Sequence, residues 1–98
     1  MKKRGDSMSR EEKYLLALAR ERYRGSLYRV ALYLFLRLDF EHYGVINQAL
    51  IAEDLEMERP EVNVIIKELV EDNYLVMGEK VGRHNTYKLE YQYVNDML

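Results

Sequence analysis

Through the second half of the chain, apolar residues recur at helical spacing. Ile51, Ala52 and Leu55, then Val62, Ile65, Ile66, Leu69 and Val70, each line one face of a 3.6-residue period. This predicts two short helices, the first over 48–55 and the second ending near Asn73, joined by the turn Glu56, Met57 and Glu58. Asn47 is placed to cap the first, and Pro60 suits the first turn of the second, where its missing N–H costs nothing. The period then changes. Residues 74–77 and about 85–89 carry β-branched, aromatic and aliphatic side chains on either side of a turn-rich stretch, with Gly78 and Gly82 as its flexible positions. That pattern predicts a β-hairpin.

The first half is helical as well. Ser9 and Glu12 form an S-x-x-E capping box. The box opens a helix over 9–24 with Leu15, Leu18, Ala19 and Arg22 on one face, widened by Tyr14, Leu16, Ala17 and Tyr23. Gly25 is expected to end it in a left-handed cap and Ser26 to cap the next helix. Residues 27–38 are apolar on nearly every side, the mark of a central buried helix with Tyr28, Tyr33 and Phe35 in the core. Residues 39–44 read as a loop, and 44–46 as a short strand pairing with the hairpin. Residues 1–8 are polar and without period, a flexible basic arm that either reaches a neighbouring minor groove or simply solubilises the end. Residues 91–98 form a tail that extends the sheet or packs on a partner.

Composition narrows the class. With 98 residues, 48% hydrophobic and 33% charged, the chain suits one soluble domain, here 9–90. It has no cysteine, which rules out a disulfide framework and a zinc finger. The longest apolar run, residues 30–36, is far short of a bilayer span, so no membrane partner and a cytoplasmic location are expected. Net charge is only −2, yet residues 1–29 hold nine Lys and Arg against four Asp and Glu, and the rest is acidic. Such poles face different partners, meet each other in an oligomer, or are solvated helix faces of unlike sign.

Two helices joined by a tight turn and followed by a two-stranded ribbon make a winged helix-turn-helix: mainly α with a small β-hairpin, here with an extra N-terminal helix. The second helix of such a pair is shaped for a DNA major groove, so double-stranded DNA is the expected partner. Opposite its core positions this helix carries Pro60, Val64, Lys67 and Glu71, flanked by Glu61 and Asn63. Asn63 can pair with adenine, Val64 can meet a thymine methyl, and Glu61 can accept from cytosine. Arg59 and Lys67 can hold phosphate or guanine. Asn47 and Gln48 begin the first helix, where a phosphate suits the helix N-terminus. The wing adds Lys80, Arg83, His84, Asn85, Thr86 and Lys88. Helix 9–24 either covers the core or serves as a homodimer arm.

No catalytic site, metal or cofactor is expected. His42 and His84 are far apart in sequence, no glycine loop precedes a Lys-Ser/Thr pair, and the carboxylates Glu53, Asp54, Glu71 and Asp72 lack calcium-loop spacing.

Residues 29–43 (RVALYLFLRLDFEHY), 51–62 (IAEDLEMERPEV), 66–70 (IKELV) and 78–89 (GEKVGRHNTYKL) resemble the RepL-type plasmid replication proteins, a family of small winged-helix proteins. The LDFE loop and the KVGR-x-x-TY-x-L wing are the specific part. The resemblance implies sequence-specific binding to double-stranded DNA in plasmid or phage replication or in transcription control. It also sets Glu56 at a turn position where the family usually has a left-handed glycine, so Glu56 either pays order 1 kcal/mol or changes the turn. The alternative reading is a winged-helix protein–protein interaction module, in which Val64 and the acidic helix face dock a replication or transcription protein.

Overall fold

The computed structural model describes residues 8–94. The expected arm therefore lies, except for Met8, outside the described residues, as do the last four positions of the tail. Chain order is α1 (Arg10–Arg20), α2 (Gly25–Arg37), β1 (Gly44–Val45), α3 (Gln48–Leu55), α4 (Arg59–Glu71), β2 (Leu75–Met77) and β3 (Thr86–Leu89). Among the described residues these four helices dominate, with a small antiparallel sheet of order β1-β3-β2. No helix there is long and apolar enough to cross a membrane.

The core forms where the helical periods converge. Leu27, Val30, Ala31 and Leu34 of α2 meet Val62, Ile65, Ile66 and Leu69 of α4, with Ile51 and Ala52 of α3 and Leu75, Tyr87 and Leu89 of the sheet closing the sides. Tyr14 joins α1 to this core. Its ring stacks on Phe35 and meets Phe40 and Tyr74 edge-on, at centroid distances of 5.4, 5.7 and 5.5 Å. Its hydroxyl donates to the Tyr74 carbonyl at 2.9 Å in a buried position, and burial pushes the phenol well above its usual pKa.

The capping box at Ser9 and Glu12 forms in both directions. The far end of α1 differs from the expectation. The helix stops at Arg20, four residues before the expected end, because the Tyr28 hydroxyl reaches the carbonyls of Leu18 (3.0 Å) and Glu21 (2.6 Å) and replaces the partners a further turn would offer. Gly25 is not a left-handed cap. It and Ser26 lie inside the first turn of α2, whose N-cap is Arg24. The buried face of α1 is Tyr14, Ala17 and Leu18, whereas Leu15, Ala19 and Arg22 are exposed. Tyr14 sets that rotation through its bond to Tyr74.

Asn47 caps α3, its side chain accepting from the Leu50 N–H at 3.2 Å, and Pro60 sits in the first turn of α4. Both helices end the same way. Glu56 (φ 56°) and Asn73 (φ 66°) are left-handed, and the next residue returns its N–H five positions back: Met57 to Ala52 at 2.9 Å, Tyr74 to Leu69 at 2.8 Å. These are Schellman closures that satisfy carbonyls a helix end leaves open. Asparagine tolerates that conformation better than glutamate does. Helix α4 accordingly ends at Glu71, two residues before the expected Asn73.

The hairpin strands are slightly shorter than expected. Gly78 is required for its size rather than its flexibility: a Cβ there would lie 2.5 Å from the Tyr43 ring and 2.7 Å from the Thr86 hydroxyl. Gly82, with φ +62°, does need its left-handed freedom. The tail leaves the sheet after β3: the Tyr91 ring lies tilted against Phe40 with centroids 5.3 Å apart, and Val94 packs on the core. Arg10 clasps this end, with Nη1 donating to Glu41 (2.8 Å) and to the Tyr91 hydroxyl (3.0 Å).

Two substitutions test this account. Glu56→Gly should raise stability by about 0.5–1 kcal/mol, the side-chain penalty in the left-handed region less the extra unfolded-state entropy of glycine. A lower melting temperature would contradict the turn geometry. Tyr14→Phe keeps the ring but leaves the Tyr74 carbonyl with only the Glu90 N–H (3.2 Å), and should cost about 0.5–1.5 kcal/mol in urea unfolding.

Candidate functional site

Burial of one side of α4 decides what the other side presents. Val62, Ile65, Ile66 and Leu69 are 0–1% exposed. Arg59, Pro60, Glu61, Val64, Lys67 and Glu71 are consequently turned outward, with Val64 at 54%. The hairpin stands along one flank of this surface, and one concave part of the molecule lies between the two.

There a cleft of about 460 Å³ opens over the buried Ile46. Gln48 enters it from the first turn of α3, and Arg59, Pro60 and Asn63 from α4. Arg83, His84 and Asn85 enter from the hairpin. A second hollow of about 400 Å³ continues along α4, past Lys67, Val70 and Glu71, with Met77 and Tyr87 opposite. Asn63 and Asn85 line both. The α4 positions concerned (59 or 60, 63, 67, 70 or 71) keep one helical face. That face is turned from the expected stripe toward the hairpin, which brings Asn63 to its centre and leaves Glu61 and Val64 outside both hollows.

Local geometry sets the hairpin side. Val81 and His84 exchange two backbone hydrogen bonds, 2.9 and 3.1 Å, around the two-residue tip Gly82 and Arg83. A left-handed glycine at the first tip position matches the twist of the flanking chain and lets Arg83 stand at the apex. Beyond it the strand alternates. Asn85 and Tyr87 face the hollows beside α4, and Thr86 and Lys88 face the other way.

Thr86 is therefore not a surface contact: it is 4% exposed, and its hydroxyl donates to the Glu79 carbonyl at 2.6 Å. Lys88 is half-buried on the same far face, with its ammonium 5.0 Å from the centre of the Tyr43 ring. Both depart from the expected wing contacts, because strand parity turns them away from α4. Lys80 is exposed but lines neither hollow. Asn47 has its side-chain oxygen committed to capping α3.

Charge in the cleft is uncommitted. Among the described residues, Arg59, Lys67, Lys80 and Arg83 have no ion-pair or side-chain hydrogen-bond partner. Of the acidic residues around α4, Glu68 is paired to Arg24 at 3.0 Å, while Glu56, Glu58, Glu61 and Glu71 remain exposed. The sequence reading missed the floor residue Ile46 of the cleft and, in the second hollow, Val70, Met77 and Tyr87. Burial raises the Tyr87 phenol pKa, offset in part by its hydrogen bond with the Asn85 side chain. The alternation of 85, 87 and 89 was the available signal for Tyr87.

No family model, curated protein or solved structure matches the chain.

Thr86 offers a test of this division into two strand faces. Thr86→Val keeps the shape and removes the bond to the Glu79 carbonyl. It should lower stability by about 1–2 kcal/mol in chemical denaturation. Unchanged stability would mean that Thr86 does not fasten the hairpin.

Proposed function

We propose that this chain is a winged helix-turn-helix that binds double-stranded DNA, with α4 as the recognition helix and the β2–β3 hairpin as the wing. The observation that carries the reading is the cleft, in which side chains from α3, α4 and the hairpin converge with Arg59 and Arg83 unpaired. Unpaired cations around a polar hollow suit phosphate oxygens, and their neutralisation releases counterions. The carboxamide of Asn63 between them, free of any hydrogen bond among the described residues, suits a base edge. The resemblance to RepL-type proteins supports a role in plasmid or phage replication or in transcription control.

Charge limits the affinity of one copy. Arg59, Lys67, Lys80 and Arg83 stand against Glu56, Glu58, Glu61 and Glu71, so a monomer binds weakly and two copies on paired half-sites bind usefully. We place the homodimer contact on α1, whose Leu15 and Ala19 are exposed.

Val64 favours a second reading. At 54% exposure it puts an apolar side chain at the middle of the outward face of α4, as a protein-docking surface would. Val64→Asp should then abolish capture of a replication or transcription protein without changing the circular dichroism spectrum.

The DNA reading predicts binding to duplex that weakens steeply as salt rises. Arg83→Ala should reduce affinity alike for all sequences and lower the salt slope by about 1. Mobility shifts across a salt series measure both. Undetectable or salt-independent binding by the unsubstituted protein would rule the reading out.

A further inference from the structure

We propose that Asn63 is the base-reading residue of the cleft and that the base it reads is an adenine, with Arg59 and Arg83 on the flanking phosphates. The inference rests on the DNA reading above and assigns its specificity to one side chain.

Five side chains of α4 have the chemistry to discriminate bases or hold a guanine, and the structure separates them. Glu61 and Val64 line neither hollow. Arg59 stands at the α4 edge of the first hollow and Lys67 only in the second. Both are unpaired cations on long, flexible stems, suited to phosphate. Asn63 alone among the α4 polar residues lines both hollows, facing Arg83 across the first.

Its state is also distinctive. Asn63 is half-buried, yet its amide makes no hydrogen bond among the described residues. The other carboxamides are placed differently. Asn85 is engaged with the Tyr87 phenol, and Gln48 sits in the first turn of α3, where the open N–H groups favour a phosphate. A short, half-buried carboxamide has few rotamers, and its oxygen and nitrogen present an acceptor beside a donor. Adenine shows the complementary pair in the major groove, the N6 amino group and N7.

The test is selection from random duplexes with the full chain, followed by titration of the selected site. One position should prefer adenine, and replacing that base should weaken binding by roughly tenfold or more. Asn63→Ala should flatten the preference there and leave affinity for unrelated duplexes within about twofold. With the site built on 7-deazaadenine, which lacks the N7 acceptor, the unsubstituted protein should lose affinity and the Asn63→Ala protein should not. A preference that survives Asn63→Ala, or equal losses on 7-deazaadenine for both proteins, overturns this inference and leaves the DNA reading standing. If the unsubstituted protein binds no duplex, the DNA reading fails and this inference fails with it.

Discussion

The architecture depends on the burial of one stripe of α4. Val62, Ile65, Ile66 and Leu69 give up essentially all their exposure to α2, α3 and the sheet. Fully burying side chains of this size stabilises by about 1.5–3 kcal/mol each relative to leaving them in water. Rotating α4 by even one residue would return part of that stripe to solvent, so the helix has one available orientation. Everything the cleft contains follows from it, since Arg59, Asn63 and Lys67 are held at fixed angles from residues that cannot turn.

How much of this was legible in the sequence depends on the range of the interactions. The cap at Asn47, the box at Ser9 and Glu12 and the proline in the first turn of α4 are local devices, and they act where the residues put them. The end of α1 is not local. It is set by a phenol from the next helix, and no spacing rule announces that Tyr28 will take the carbonyls of Leu18 and Glu21. The hairpin shows a third case. Alternation was visible over 85–89, but alternation alone does not say which parity faces α4. Thr86 and Lys88 were thus grouped with Arg83 and Asn85, although the Tyr43 ring and the close approach at Gly78 fix them on the opposite side.

The two oppositely charged parts of the chain meet within one molecule. Arg24 reaches Glu68, and the Tyr23 hydroxyl donates to Asp72, which ties the segment after α1 to the C-terminal half of α4. Burial and the neighbouring Asp72 together raise the Tyr23 pKa well above the usual phenol range, so the hydroxyl stays a donor throughout the neutral range. Part of the acidity of α4 is consumed in this way at its far end. At its near end Arg59 remains uncommitted, beside the exposed Glu58 and Glu61.

The strand order carries a consequence for how the molecule assembles. β1 pairs with β3, through Gly44 with Tyr87 and Val45 with Thr86, and the whole of α3, α4 and β2 lies between them in the chain. β1 therefore has no partner until the last strand has been made, and its pairing closes the longest loop in the sheet. Long-range closures of this kind are slow, because the entropy of the intervening chain is lost before the contact rewards it. During synthesis the helical pair can form first from local contacts. The hollow over Ile46, which immediately follows β1, acquires its floor and its far wall in the same late event.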